Sequence, residues 1–376
     1  MELDEFRTGL DHWLDRHDSA LRDGRGGDGT LDGQMAHLAM VKRLTYEAGW
    51  MRFGWPERVG GLGGSTLLRA YLGEALTSRD LVEPGIYSMT EVLAPTMIDY
   101  AAPELAAAMV PRLLSGAETW CQGFSEPGTG SNLAALTCRA TRAGDVWRVT
   151  GQKVWTSLAQ YAQRCVLLTR TGPADSAHRG ITALFVDMDT PGIVIRPIET
   201  MHGAPEFSEV FFDDVAVPVD RTLGDEGQGW SVAMDLLPFE RSTALWHRAA
   251  YLHMRLQGLL RDAPPETLDP VAVGEAAQLV YALRARSRST QHRLAAGEHL
   301  GPETSIDKVL VATAEQAVFD LVADGLGPDL VTGDDPTSDR WRREFLYSRA
   351  ATIYGGTGEI QRNIIARRLL DLGPDR

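Results

Sequence analysis

The spacing of apolar residues changes twice along the chain. From about residue 35 to 120, segments such as "MAHLAMVKRLTYEAGW" and "PELAAAMVPRLLSG" repeat apolar residues every three or four positions, which predicts helices. Shorter segments rich in β-branched and aromatic residues follow, including "DVWRVTGQKVWTS" and "SEVFFDDVAVP", and they predict strands. The helical spacing then returns after "GDEGQGW". We therefore predict a helical domain over 1–120, a β domain over 121–223 and a second helical domain over 224–376.

Three polar segments interrupt these patterns. "RDAPPETLDP" and "TGDDPTSD" break the C-terminal helices and are predicted to be surface loops, because they combine proline, glycine and aspartate. The glycine-rich "DGRGGDGTLDG" near the N-terminus is predicted to be a flexible loop rather than a phosphate-binding turn.

Composition limits the possible functions. With 376 residues and 44 % hydrophobic content, the chain can form two or three domains with separate cores. The formal net charge of -14 disfavours binding to nucleic acid, whose backbone is recognised through clustered cations. No uninterrupted apolar run approaches the ~18 residues of a membrane span, and the N-terminus is acidic, so we expect a cytoplasmic protein without membrane contact.

The cysteines do not indicate a metal site or a disulfide framework. Cys121, Cys138 and Cys165 are odd in number and have no metal-ligand spacing, so we expect reduced thiols in or near the core. No metal ion is predicted.

Two motifs at the start of the predicted β domain suit a flat heterocycle. "CQGFSEPGTGSNLAAL" places hydroxyl and amide groups on a turn that its glycines and proline impose, and "GQKVWTS" places an aromatic ring beside two hydroxyls on a strand. Each motif alone is more often an ordinary turn or a buried tryptophan. Their combination within one domain is more specific.

Five motifs in a fixed order resemble the acyl-CoA dehydrogenases. These are "GFSEPGTGSNLAAL", "GQKVWTS", "VFFDDVAVP", "GDEGQGW" and "IYGGTGEIQRNIIARRLL", and the similarity extends from "AGWMRFGWPERVGGLGG" to the C-terminus. The resemblance implies an N-terminal helical domain, a middle β-barrel and a C-terminal four-helix-bundle domain. It also implies bound FAD and α,β-dehydrogenation of an acyl-CoA thioester, with hydride passing to flavin N5.

The resemblance assigns several residues of the β domain to FAD. Phe124 and Ser125 match positions along the flavin ring, and Ser131 matches a position near both the pyrophosphate and the bound thioester. Trp155 matches the aromatic wall of the isoalloxazine, and Ser157 matches the hydroxyl that bonds flavin N5.

The C-terminal motif "IYGGTGEIQR" carries further assignments. By resemblance, Thr357 and Glu359 contact the adenosine part of FAD, and Tyr354 contributes to substrate binding together with Ser131. Many family members have "IYEGT" here, with the catalytic carboxylate inside the motif. Gly355 has no carboxyl group, and only its backbone N–H remains available for the thioester oxygen.

The resemblance offers a second position for the catalytic base. On the helix after the β domain, some members have glutamate before arginine, and Glu240-Arg241 falls at that position here. Pro238 removes a helix hydrogen bond just before it and is expected to bend the helix. We therefore predict Glu240 as the base that removes the α proton, and Arg241 as a substrate contact. The alternative is a solvent-facing glutamate paired with arginine.

The assembly and the reaction leave alternatives open. The arginine and Phe-Gly pair by which tetrameric members reach a neighbouring FAD is absent from "RLQGLLRDAPPETLDPVAVGEA", and Asn132 replaces the usual aspartate. Bacterial branches that include heteromeric sterol side-chain enzymes show a similar loss. A homodimer or a heteromer with a related chain is predicted, with electron-transfer flavoprotein as electron acceptor. The alternatives are a non-catalytic partner subunit, or a related flavoenzyme that acts on an acyl-carrier-protein thioester.

Overall fold

The described residues form twelve α-helices and eight strands in the order helical, β, helical. The computed structural model describes residues 1–23, 30–240, 243–298 and 300–373, apart from the side chains of Ala174, Glu240 and Pro265. The helices are α1 Leu3–Arg22, α2 Leu31–Glu47, α3 Thr66–Ser78, α4 Pro84–Tyr100, α5 Pro103–Leu114, α6 Gly229–Glu240, α7 Thr243–Asp262, α8 Pro270–Ala295, α9 Thr304–Leu326, α10 Asp329–Thr332, α11 Pro336–Ser348 and α12 Gly358–Ile364. The strands are β1 Trp120–Gly123, β2 Arg139–Ala143, β3 Val146–Ser157, β4 Arg164–Arg170, β5 Ile181–Asp187, β6 Ile193–Ile198, β7 Phe207–Pro218 and β8 Thr222–Leu223. This order confirms the predicted fold class.

The chain forms two compact units. The first contains Met1–Arg69, Met89–Thr200 and Ala204–Leu237, and the second contains Ala70–Ser88, Met201–Gly203 and Pro238–Arg376. The break between α7 and α8 confirms the predicted loop "RDAPPETLDP". The predicted loop "TGDDPTSD" is only partly correct, because Asp335 accepts hydrogen bonds from Thr337 and Ser338 and starts α11 within it. Most of the predicted N-terminal loop, residues 24–29, lies outside the described residues.

One eight-stranded sheet dominates the first unit. Its strand order is β6-β7-β3-β2-β4-β5-β8, and β1 pairs in parallel with β4. The inward residues alternate with exposed ones along β3 and β7, as expected for a sheet with one buried face. Cys121, Cys138 and Cys165 belong to the core behind this sheet, and all three are buried free thiols as predicted.

Four helices enclose the main core of the second unit. Side chains of α7, α8, α9 and α11 pack around buried Leu252, Leu283, Val318 and Trp341. The charged residues of α8 and α11 are exposed or half-buried and none is fully buried, which explains why helical spacing was readable in the sequence. Among the described residues, no helix combines the length and the apolar character needed to cross a membrane.

A buried ammonium group lies in the first unit between α2 and α4. Lys42 is 4 % exposed, and its Nζ donates to Thr90 Oγ1 at 3.0 Å. Burial lowers the pKa of Lys42 to about 7, although the nearby Glu91 carboxylate opposes this change. Glu91 also pairs with Arg69 at 3.2 Å, so its carboxylate interacts with two cationic side chains.

We expect replacement of Lys42 by methionine to change how stability depends on pH. The folded-state pKa of about 7 lies below the ordinary value of 10.5. Between these values the unfolded chain binds a proton that the folded chain lacks, so the free energy of unfolding rises with pH. Below pH 7 both states are protonated, and the folded state retains the full cost of burying the charge.

The free energy of unfolding of Lys42→Met is therefore expected to exceed that of wild type by the largest amount below pH 7. This advantage should shrink as pH rises toward 10, by at most about 1.4 kcal/mol per pH unit. Chemical denaturation from pH 6 to 10 measures it, with the exposed Arg43→Gln as control on the same helix. A stability difference that stays constant over this range would show that Lys42 does not titrate near neutrality.

Candidate active site

A tight turn follows β1 in the first unit. The backbone N–H and C=O groups of Glu126 and Thr129 pair with each other, at 3.3 and 3.0 Å. Proline and glycine at 127 and 128 suit this reversal, which turns the chain back beside the sheet. Phe124 and Ser125 lie between β1 and this turn, so the turn fixes where both residues emerge from the sheet.

A buried ion pair fastens the turn to β3. Lys153 Nζ lies 2.8 Å from Glu126 Oε1 and also donates to the carbonyl of Phe124 at 3.1 Å. The Glu126 carboxylate accepts further hydrogen bonds from the N–H groups of Thr137 and Cys138 at 2.6 and 2.8 Å, and from the Thr137 hydroxyl at 2.7 Å. Burial alone would raise the pKa of Glu126, but Lys153 and these donors lower it below its usual value. The carboxylate therefore stays ionised inside the sheet.

Trp155 lies in a β-bulge near the end of β3. Lys153 pairs with Val210 and Thr156 pairs with Ser208, so β3 has one residue more than β7 over this interval. Trp155 takes up the extra length with a left-handed backbone, φ +59°. Its indole is 58 % exposed and contacts Phe207 edge-on at 6.1 Å between ring centroids. The bulge thus presents an aromatic face that a regular strand would bury.

The predicted cofactor residues of the β domain lie on neighbouring segments. The Val154 N–H donates to the Ser125 carbonyl at 3.0 Å, which joins the segment of Phe124 and Ser125 to that of Trp155 and Ser157. Ser157 is half-buried at the end of β3. Ser131 lies in the exposed loop after the turn, where added side-chain atoms at Gly128 or Gly130 would meet nothing within 4 Å.

The C-terminal motif forms a turn and a short helix in the second unit. Gly355 and Gly356 have φ of +62° and +90°, a region that glycine adopts without strain. Thr357 caps α12 by accepting from the Ile360 N–H at 3.3 Å. Glu359 lies exposed in the first turn of α12. Hydrogen bonds from its own backbone N–H and from the Thr357 hydroxyl lower the pKa of its carboxyl group. Tyr354, Gly355, Thr357 and Glu359 therefore lie on one turn and the first turn of α12, and their roles stay predictions.

Two residues that sequence reasoning missed hold this motif. Gln361 is fully buried, and its Nε2 donates to the carbonyls of Gly355 and Gly356 at 3.0 and 3.4 Å. Lys308 Nζ donates to the carbonyl of Ala351 at 2.5 Å and lies 4.1 Å from the centre of the Tyr354 ring. The chain contains only three lysines, Lys42, Lys153 and Lys308, and all are buried, so lysine scarcity is a signal that the sequence already carried.

The predicted base is the last described residue of α6. The structure describes α6, which contains Pro238, as far as Glu240, and α7 from Thr243 onward. The side chain of Glu240 and the whole of Arg241 lie outside the described residues. Their predicted roles in catalysis and substrate binding stay predictions.

Comparison with known proteins identifies the family. The chain matches the N-terminal, middle and C-terminal domain models of acyl-CoA dehydrogenase over residues 31–117, 121–215 and 271–370. It is 36 % identical over 382 residues to the acyl-CoA dehydrogenase IpdE1 of Mycobacterium tuberculosis (strain ATCC 25618 / H37Rv), covering 99 % of this chain and 98 % of that protein. The chain belongs to the acyl-CoA dehydrogenase family.

Solved structures support the same class. The chain superimposes on the "Tcur3481-Tcur3483 steroid ACAD" with a TM-score of 0.84 and 25 % identity, covering 100 % of this chain and 98 % of that one. The ChsE4-ChsE5 complex from Mycobacterium tuberculosis gives a TM-score of 0.80 and 27 % identity, with coverage of 99 % and 98 %. The protein is an FAD-dependent acyl-CoA dehydrogenase related to the sterol-degrading bacterial branch.

The described residues fit a flavin in the first unit. A planar ring needs an open aromatic face and nearby hydrogen-bonding groups, and Trp155 supplies that face beside Ser157. Exposure alternates at this end of β3, with Trp155 open, Thr156 buried and Ser157 half-buried, so Trp155 and Ser157 lie on the more open side of the strand.

We expect Lys153→Met to destabilise the first unit. The substitution leaves the Glu126 carboxylate buried without its cation, which typically costs about 3–5 kcal/mol. Chemical denaturation followed by tryptophan fluorescence measures the loss. In the double variant Lys153→Met/Glu126→Gln the loss should be smaller, because the uncompensated charge is gone. If the double variant loses as much stability as Lys153→Met and Glu126→Gln lose together when each is measured alone, this ion pair is excluded as the cause.

Proposed function

We propose that this acyl-CoA dehydrogenase uses Glu240 to remove the α proton of its thioester substrate. The observation that carries the proposal is the glycine at 355, in the C-terminal motif, where a base would otherwise lie. The reaction still requires a carboxylate over the α carbon, and Glu240, on α6, matches a position at which other family members place it. Arg241, the next residue, binds the substrate.

The remaining predicted residues bind and orient the reactants. The Gly355 N–H donates to the thioester oxygen, where negative charge develops as the α proton leaves. Tyr354 and Ser131 contact the substrate, while Phe124, Ser125, Trp155 and Ser157 hold the isoalloxazine and Thr357 and Glu359 hold the adenosine part. When bound, FAD accepts the β hydride at N5.

The acyl group is of the steroid side-chain class, and the chain assembles with a related subunit. One solved structure, with a TM-score of 0.84, is described as a steroid acyl-CoA dehydrogenase with two named components, and the ChsE4-ChsE5 structure is a complex. The missing arginine and Phe-Gly pair fits an FAD site completed by a different chain.

Three further points stay predictions. They are the domain boundaries at 120/121 and 223/224, a cytoplasmic location, and electron-transfer flavoprotein as the electron acceptor.

Glu240→Gln is expected to retain flavin and to lose most flavin reduction by acyl-CoA. A general base contributes about 10²–10⁴-fold to such a step, and glutamine keeps the size of the side chain without its basicity. Anaerobic mixing with short, branched, long and steroid acyl-CoAs, followed by flavin bleaching, measures the rate and identifies the acyl class. Glu275→Gln, an exposed carboxylate on α8, is the matched control. Equal rates for Glu240→Gln and wild type would refute the assignment.

The same experiment tests the non-catalytic alternative. A chain that completes a partner's site without catalysing would be colourless when expressed alone, and its complex would be unaffected by Glu240→Gln. Stoichiometric flavin absorbance of the chain alone would argue against that alternative. Bleaching by no acyl-CoA in the panel would favour an acyl-carrier-protein thioester or the non-catalytic subunit.

A further inference from the structure

The loop that carries Gly355 is anchored on both sides of one peptide bond. Before it, Lys308 Nζ holds the Ala351 carbonyl at 2.5 Å and lies under the Tyr354 ring at 4.1 Å. After it, Gln361 Nε2 holds the Gly355 carbonyl at 3.0 Å. The Tyr354–Gly355 peptide therefore lies between two fixed points, although glycine would otherwise give this loop wide conformational freedom.

The Gly355 N–H is an available donor within this anchored loop. Among the described residues, the Gly355 N–H donates to no backbone carbonyl. The neighbouring Ile353 and Tyr354 N–H groups, in contrast, both donate to the Ala350 carbonyl. A half-buried N–H that is held in place without an internal acceptor is suited to an external oxygen. Its direction depends on how firmly Tyr354 is held.

A buried ion pair fixes the hydroxyl end of Tyr354. The Tyr354 hydroxyl lies 3.5 Å from Glu315 Oε2, and Glu315 is fully buried on α9. Arg248 on α7 holds this carboxylate with two nitrogens, Nε to Oε2 at 2.9 Å and Nη2 to Oε1. A bidentate arginine leaves the carboxylate little freedom to rotate, so the acceptor that faces Tyr354 is itself fixed.

Arg248 remains charged although it is buried. Burial alone would lower the pKa of Arg248, but the Glu315 carboxylate outweighs this effect and raises it well above its usual value. Arg248 also contacts Glu83 at 3.3 Å, and its guanidinium lies over the rings of Tyr251 and Tyr347 at 4.6 and 5.4 Å. Burying two charges is costly unless geometry is well defined, so such a pair specifies one arrangement of its neighbours.

We propose that Arg248, Glu315 and Lys308 are positioning residues that hold Tyr354, and through it keep the Gly355 N–H directed at the thioester oxygen. The proposal rests on the proposed function, because it assigns the Gly355 N–H to that oxygen. Lys308 sets the position of the ring and of the preceding carbonyl. Glu315, fixed by Arg248, sets the direction of the phenol.

Two variants test the proposal in the full chain with its bound flavin. Tyr354→Phe removes only the hydroxyl and keeps the ring over Lys308 and the Arg248–Glu315 pair. Glu315→Gln keeps the side-chain size but removes the charge that fixes it, and Tyr354→Phe carries the test if Glu315→Gln fails to fold. Asp320→Asn is the matched control, since Asp320 also lies on α9 in an arginine ion pair, with Arg349 at 2.9 Å, but is exposed.

Hydrogen–deuterium exchange of the peptide that covers 350–362 is the readout independent of turnover. We expect exchange in this loop to accelerate about tenfold in Tyr354→Phe and in Glu315→Gln, and to stay at the wild-type rate in Asp320→Asn. Flavin reduction by acyl-CoA should slow about 10- to 100-fold in both variants, and KM should stay unchanged in Glu315→Gln, because the donor stabilises charge that exists only in the transition state. The proposal would be overturned if Tyr354→Phe and Glu315→Gln matched Asp320→Asn in the exchange rate of this loop, or if they matched it in the rate of flavin reduction.

The outcome for Glu240→Gln separates this proposal from the proposed function. If Glu240→Gln abolishes flavin reduction while Tyr354→Phe and Glu315→Gln behave like the control, only the positioning role fails. If Glu240→Gln has the wild-type rate while both loop variants show faster exchange and slower reduction, only the assignment of the base fails. If the wild-type chain reduces no flavin with any acyl-CoA, both fail together.

Discussion

The ion pair between Lys153 and Glu126 is the contact on which the arrangement of the first unit depends. Glu126 joins the turn after β1, the start of β2 and the middle of β3, because its two oxygens accept from the Thr137 and Cys138 segment as well as from Lys153. Two buried charges with this many donors are stable only in one geometry. That geometry places Phe124 and Ser125 beside the bulge at Trp155, so the ion pair positions the aromatic face and the hydroxyls of the proposed flavin site.

The second unit uses buried cations in the same way. Lysine is a compact charge with three donors, which suits a single carbonyl oxygen, whereas the planar guanidinium of arginine suits both oxygens of a carboxylate. Lys308 accordingly holds the Ala351 carbonyl, and Arg248 holds the Glu315 carboxylate. All three lysines of the chain are buried, so the lysine-type and arginine-type cations at the surface are all arginines. Both predicted site segments therefore depend on cations that are hidden from solvent.

Regular elements were more predictable from the sequence than these contacts. "DVWRVTGQKVWTS" and "SEVFFDDVAVP" correspond closely to β3 and β7, since an alternating pattern reports the face on which a strand is buried. β2 was not predicted because Ala140 is its one buried residue, and β8 because it has two residues. The bulge at Trp155 depends on the partner strand, and the contact of Lys308 with Tyr354 joins α9 to the turn before α12. Neither leaves a local pattern that periodicity can detect.

Glu240 is the residue that we propose for the proton abstraction, because residue 355 lacks a carboxylate. The most direct measurement is anaerobic single-turnover flavin reduction in the double variant Glu240→Gln/Gly355→Glu, compared with Glu240→Gln alone. A carboxylate restored at 355 should recover about tenfold or more of the lost rate, even though a non-glycine residue at φ +62° strains the loop. If the double variant reduces flavin no faster than Glu240→Gln, residue 355 does not face the α carbon, and the exchange of roles between these two positions is contradicted.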